Sequence, residues 1–434
     1  MITNLFRWLN SSTCSFLAVE TIRKELENKG FIKLEPYSDW KIERNKKYYV
    51  EKNGSAIFAF VTGTSSGADK GFRIISAHSD SPCLKLKPNP EIIGDGGVIS
   101  LNVEKYGGGI LYTWFDRPLS MSGRVVVESE NILQPDTFLF DLKKSVATIP
   151  HLAIHFNREV NSGNPISVQK DMKPVLGYFT DEEIMEFQKK GGAVKSLIAG
   201  HLGIKPEKII DAEIILYPLE EAHFVGANDC YFQSGRIDDL SMAFSALQAL
   251  TDTCDLPCES LRMMAVFDNE ETGSGTKQGA ASPVMSNLLE RVCNSLSSDK
   301  DCFKKNIARS FMISADDAHA WHPNYSEKYD PTNHPVIGGG PVIKINANGK
   351  YMTDAIGSAV FQNLCNEAGV KYQFFVNHAD IAGGSTLGNI ATSQMDINGV
   401  DVGAAIWAMH SAAETAGVTD YIDFVKVFSK FWTI

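Results

Sequence analysis

Five short stretches of this sequence carry histidine or carboxylate side chains in a context that suits cation and proton chemistry. They are HSD (78–80), RIDDL (236–240), DNEE (268–271), SADDAH (314–319) and MHS (409–411). Each sits where an apolar run that reads as a strand stops, and open α/β sheets bind ligands outside the carboxyl ends of their strands. One such residue alone is ordinarily a cap or turn residue. Five in one context point to a shared crevice. His78 and Asp80 are two apart, so in extended chain they point to the same side. Asp80 is then placed to accept a hydrogen bond that fixes the tautomer of a metal-binding imidazole. Glu270 and Glu271 are sharper, because adjacent carboxylates repel unless a cation or proton intervenes. One can bind metal while its neighbour handles a proton. Read alone, the same pair suits equally well the first turn of a helix opening near Thr272.

Asp238, Asp316 and His410 complete the set with His78 and Glu271. Two imidazoles, three carboxylates and no thiolate suit Zn²⁺ or Mn²⁺. Five ligands exceed what one catalytic zinc that keeps a water can use. They fit two metals about 3.5–4 Å apart that share a carboxylate and a water. Gly273, Gly275 and Gly279 resemble a phosphate loop superficially, but the spacing and the Lys-Ser/Thr pair of a nucleotide-binding loop are absent.

The elements that must position these groups follow from periodicity. Residues 15–29 show helical spacing, with Phe16, Leu17, Val19, Ile22 and Leu26 apolar. KKYYVEK, SAIFAFVTG and FRIISAHSD read as strands. From about residue 89 to 235 the texture changes to short β segments (GGVISLNV, ILYTWF, SGRVVVES), two helices near 181–190 and 193–202, and the strand EIILYPL. After Gly235 helices and strands alternate. DDLSMAFSALQALTD puts Leu240, Ala243, Phe244, Leu247 and Leu250 on one stripe behind a capping Asp. LRMMAVFD, SFMISAD and PVIKIN are continuous apolar runs of the kind that sheets buried on both faces require. An amphipathic helix at 418–432 closes the chain. The pattern predicts an α/β catalytic core, residues 1–88 and 236–434, interrupted by a mostly-β insertion at 89–235.

The 434 residues carry 41 basic against 52 acidic side chains, a net charge of −11, which argues against nucleic acid or an anionic membrane as the main partner. No apolar stretch reaches the roughly 18 residues of a membrane span, and the polar residues after MITNLFRWLN do not make a signal peptide. The eight cysteines are scattered without a CxxC pair, so free thiols in a reducing compartment are expected. The expectation is a soluble cytoplasmic protein.

The motifs resemble those of the aspartyl aminopeptidase family, zinc metallo-exopeptidases of the co-catalytic-metal group. The resemblance runs nearly end to end, through AHSDSP (77–82), IPHLAIHFNR (149–158), GRIDDL (235–240), DNEETGSGTKQGA (268–280), SADDAHAWHPNY (314–325), GPVIKIN (340–346), GGSTLG (383–388) and MHS (409–411). It implies an α/β/α zinc-peptidase core with an inserted dimerisation domain, and two Zn²⁺ per subunit, replaceable by Mn²⁺ or Co²⁺. By resemblance His78 and Asp316 hold one zinc, Glu271 and His410 the other, and Asp238 bridges them. Glu270 is then the general base, Asp80 the orienting residue, and the Asp238–Asp239 peptide cis. The family forms homo-oligomers, typically tetrahedral dodecamers built from dimers. His151 or His155, with His155 preferred, would reach a neighbour's site.

Lys344 alternates with Ile343 and Ile345 and faces away from them. By resemblance it meets an acidic substrate side chain, which implies peptide substrates with N-terminal Asp or Glu. His319 is grouped with the substrate contacts. MHSAAE and Gly383 depart from the family pattern, which leaves the pocket's breadth open: a broad or neutral-residue aminopeptidase fits the same ligands. A related carboxypeptidase or deacetylase is separated by a test for a free-amine requirement, and an inactive assembly protein by a test for metal binding.

Overall fold

Residues 72–78, 261–267 and 311–315 are apolar almost throughout because their strands are covered on both faces. In the computed structural model, which describes residues 1–64 and 70–434, they lie side by side in a nine-stranded sheet. Across it run Ile32–Lys33, Lys47–Lys52, Ala56–Val61, Leu261–Phe267, Phe72–His78, Phe311–Ala315, Asn398–Gly403, Val342–Lys344 and Gln373–Phe375. Leu261–Phe267, Phe72–His78, Phe311–Ala315 and Asn398–Gly403 pair in parallel. Successive side chains feed opposite layers, as strand geometry demands. Ile75, Ala77, Met264 and Val266 pack with the helices Ile237–Thr253, Ala355–Ala368 and Asp420–Phe431. Phe72, Ile74, Met263 and Ala265 pack with Val284–Leu296 and Cys302–Ile307 on the other face. This is the expected α/β/α arrangement.

The same unit holds a five-stranded sheet in the order His223–Val225, Tyr231–Ser234, Glu414–Gly417, Ala405–Trp407 and Ala318–His319. The unit comprises Met1–Ser81, Ala222–Met409 and Glu414–Ile434.

The second unit, Pro82–Glu221 with His410–Ala413, is built on a six-stranded antiparallel sheet. Its order is Asp136–Asp141, Leu119–Val127, Ile209–Pro218, Cys83–Ile93, Val98–Tyr106 and Val175–Tyr178. Leu84, Leu101, Met121, Val125 and Leu216 form its core with Ile198 of the helix Ala193–Leu202. The units therefore change at 81/82 and 221/222 rather than at 88/89 and 235/236. Cys83–Leu86 already ladders with Val103–Tyr106 inside the insertion. At the other end, Tyr231–Ser234 pairs with Glu414–Gly417 in the first unit. The segment ILYTWF is a single turn at Leu111–Trp114 rather than a strand. The Thr113 N–H closes back on Ile110 and the Ile110 N–H donates to the His410 carbonyl, so neither joins a ladder.

No described helix is long and apolar enough to cross a membrane, and all eight cysteines are free.

Candidate metal centre

The parallel register sets the site's depth. His78 is level with Phe267 and Ser76 with Ser314, so neighbouring strands end together. His78 ends its strand 1% exposed. Its Nδ1 lies 3.0 Å from the Asp80 carbonyl and 3.3 Å from Asp80 Oδ1, and its Nε2 is 3.6 Å from Asp238 Oδ1. The imidazole is therefore oriented by Asp80 and turned toward Asp238. The backbone N–H of His78 donates to Asp239 Oδ2 at 3.0 Å.

After Phe267 the chain turns sharply, with Asn269 at φ 63° and Gly273 at φ 91°. Thr276 and Gln278 both donate to the Asn269 side chain and tie the turn. Glu270 and Glu271 thus occupy one short 3₁₀ turn, Glu270–Thr272, and not the start of a longer helix. Asp80 receives the backbone N–H of Glu270 at 3.1 Å and of Glu271 at 3.2 Å.

Asp238 stands at the head of the helix Ile237–Thr253, in non-helical backbone. Arg236 precedes that helix, so Asp238 and Asp239 are not its cap. The Asp238–Asp239 peptide is cis, as the resemblance implied. Asp238 donates its N–H to Glu414 Oε2 at 3.1 Å, and its carbonyl accepts from Ser81 Oγ at 2.8 Å.

Within the first unit, two donor sets have their ligand atoms within 4.8 Å of one another: His78, Asp238 and Asp239, and His78, Glu270 and Glu271. Burial pushes the Glu270 carboxyl up to about 8, against the pull of His78 and with the repulsion of Asp316, Asp238 and Asp80. Burial also raises the Asp239 carboxyl well above its ordinary value. His78 is held well above the usual imidazole range by Asp239, Asp238 and Asp80 in spite of its burial. Carboxylates crowded on one imidazole, with oxygen and nitrogen donors and no sulfur, are what a zinc ion fits.

Asp316 follows Phe311–Ala315, and its carboxylate meets Lys344 Nζ at 3.0 Å. Lys344 is 3% exposed and lies 5.7 Å from the Tyr351 ring centroid. Burial opposes its charge, yet Asp316 keeps its pKa above the ordinary lysine value. Lys344 is thus brought to a candidate ligand. His319 is exposed, edge-on to Phe375 at 5.8 Å.

Three predicted residues lie in the second unit. His410 has φ 69° and its Nδ1 is 3.3 Å from the Gly108 carbonyl. His151 stacks on Phe115 at 4.0 Å and its Nδ1 meets Asp116 Oδ2 at 2.6 Å. His155 is exposed, between the exposed Ile154 and Phe156.

Sequence reasoning passed over Asp239, Asp317 and Glu414. Asp317 is buried and accepts from Ser241 Oγ at 2.8 Å. The available signal was the acid doublets 238–239 and 316–317, of which only the first member had been assigned.

Comparison with known proteins adds a second line of argument. Residues 8–432 match the family described as aminopeptidase I zinc metalloprotease (M18). The chain is 44% identical over 430 residues to a probable M18 family aminopeptidase 2 of Clostridium novyi (strain NT), covering 99% of this chain and 98% of that one. A chain in the cryo-EM structure of the Ape4 and Nbr1 complex superposes with TM-score 0.95 at 35% identity, covering 99% and 85% of the two chains. The S. cerevesiae mApe1 dodecamer gives TM-score 0.86 at 25% identity, covering 99% and 95%.

Proposed function

We infer the reaction from one premise: the chain belongs to the aminopeptidase I zinc metalloprotease family (M18), and is a metal-dependent aminopeptidase. We propose that it removes N-terminal residues, with a preference for Asp and Glu, at a centre of two zinc ions. The observation that carries the two-metal reading is the convergence of His78, Glu270 and Glu271 at the carboxyl ends of parallel strands with Asp238 at the head of the helix Ile237–Thr253.

His78 and Asp316 would hold one zinc, Glu271 and His410 the other, with Asp238 shared. When bound, the metal supplies Lewis acidity that makes water a nucleophile near neutral pH. Glu270 accepts the proton of the attacking water and returns it to the leaving amine. Asp80 keeps Glu270 in place and His78 in one tautomer.

Lys344 would meet the acidic side chain of the substrate. An ammonium has three donors, and its bond to Asp316 uses one of them. His319, exposed at the end of its strand, would add a substrate contact. The six-stranded unit is proposed as the dimerisation domain of a homo-oligomer, a tetrahedral dodecamer, supported by the dodecamer among the similar structures. His155 would act in a neighbouring subunit. Eight free thiols support a cytoplasmic setting.

The test is Glu270→Gln, assayed on aminoacyl-arylamides with zinc content measured alongside. Turnover should fall by about 10²–10⁴-fold with both metals retained, and free-amine substrates should be cleaved while N-acetylated ones are not. Near-normal turnover in the variant removes Glu270 from the mechanism.

A further inference from the structure

Three candidate ligands share a feature of their backbones. The N–H of His78 ends on Asp239 at 3.0 Å, that of Glu271 on Asp80 at 3.2 Å, and that of Asp238 on Glu414 at 3.1 Å. In each case the acceptor is a buried carboxylate that the proposed ligand set does not use. The first two acceptors are sequence neighbours of other ligands, Asp239 of Asp238 and Asp80 of His78, although they lie 161 and 191 residues from the N–H groups they accept. Glu414 differs in standing outside the five ligand-bearing stretches, 176 residues from Asp238.

We propose that Glu414 is a positioning residue for the metal centre, acting on Asp238 through that residue's backbone. Glu414 opens the strand Glu414–Gly417 and pairs in register with Ser234, the last residue of Tyr231–Ser234. Beyond Ser234 the chain turns through Gly235 and Arg236, the latter at φ 64°. The Glu414 side chain reaches past the end of the ladder to the first peptide that follows this turn. The Asp238 carbonyl is held from the other side by Ser81 Oγ at 2.8 Å. N–H and C=O are thus both anchored, and the Asp238 carboxylate is delivered to 3.6 Å from His78 Nε2. Glu414 is 1% exposed, and a buried carboxylate persists where donors satisfy it. Groups that hold ligands in this way govern metal affinity as well as turnover.

The inference rests on the two-metal reading above, and its test separates the two. Holoenzymes of wild type, Glu414→Gln, Glu414→Asp and Glu414→Ala are challenged with a chelator, and zinc retention is followed. Their cobalt-substituted forms are compared by visible absorption. Gln keeps an acceptor oxygen at the same reach, Asp withdraws it by one methylene, and Ala removes it. Asp and Ala should lose about 10–100-fold in zinc affinity, shift the cobalt bands and lower kcat more than they raise KM. Gln should recover most of the zinc affinity. Should Ala fail to fold, the contrast between Asp and Gln carries the test. Wild-type retention and cobalt bands in Asp and Ala would overturn the proposal, and so would a Gln variant as weak as Asp. A wild-type protein that holds no zinc would overturn the metal reading, and this inference with it.

Discussion

Asp80 Oδ1 accepts the backbone N–H of Glu270 at 3.1 Å, and Oδ2 of the same carboxylate accepts that of Glu271 at 3.2 Å. One side chain therefore fixes a turn whose two residues are assigned different work, a proton and a metal. Asp80→Asn leaves one acceptor oxygen and turns an amide NH₂ toward the second backbone N–H. Turnover should fall by about 10–100-fold, with weaker zinc binding in the same variant. Steady-state kinetics with metal analysis checks this, and a variant normal in both would mean that the turn holds its shape without Asp80.

Lys344 is bonded to Asp316 in a fully buried pair. Removing one partner of such a pair costs about 3–5 kcal/mol, because the other charge stays buried and uncompensated. Lys344→Met should lower the metal-free unfolding free energy by that amount, and zinc should narrow the gap by giving Asp316 another cation. The same variant should lose the proposed Asp-over-Asn preference, about tenfold to a hundredfold for a charge-assisted bond of about 1.5–3 kcal/mol. Urea unfolding with and without zinc tests the first claim, and the ratio of kcat/KM for Asp and Asn substrates tests the second. An unchanged ratio would leave Lys344 a partner of Asp316 alone.

The positions of His78, Glu270 and Asp316 were legible because apolar runs buried on both faces mark strands clearly, and chemistry at strand ends is local in sequence. What Glu414, Asp239 and Lys344 do was not legible, since each acts on a group brought close only by folding. Glu414 meets Asp238 across 176 residues and Lys344 meets Asp316 across 28. The segment ILYTWF misled for a related reason: its composition favours a strand, but its N–H groups find partners in a turn and at His410. The helix Ile2–Ser11 was legible in principle, since its buried Leu5, Trp8 and Leu9 stand at helical spacing.

Asp420 offers a pH signature outside the catalytic machinery. It is buried and accepts the N–H of Gly338 at 2.9 Å and of Gly340 at 3.2 Å. Burial outweighs those bonds and pushes its carboxyl from 3.8 up to about 6. The folded protein therefore favours the protonated acid. Its stabilising contribution is complete below pH ~4, the range of a free Asp, and is lost as pH rises through about 6. At ~1.4 kcal/mol per pH unit, the loss between these values is about 3 kcal/mol. Asp420→Asn should lack this slope, so its stability relative to wild type should rise from pH 4 to 6.5. Parallel stability–pH curves for the two proteins would refute it.

His155 and His151 make opposite predictions in mixed oligomers. His151 is stacked on Phe115 and bonded to Asp116 within its own unit, which leaves its ring committed. His155 is exposed beside Ile154 and Phe156, which are 54% and 81% exposed, a combination that suits a loop covered by a second subunit. If His155 serves a neighbour's site, His155→Phe inactivates the neighbour and Glu270→Gln inactivates its own subunit. Co-assembly of the two inactive variants should then restore activity, because some sites pair an intact Glu270 with an intact His155. With statistical mixing of equal amounts, such sites are about one in four. His151→Phe mixed with Glu270→Gln should give no comparable rescue, because His151→Phe should not be inactive at the outset. Verified mixed oligomers of His155→Phe and Glu270→Gln that stay inactive would place the action of His155 within its own subunit.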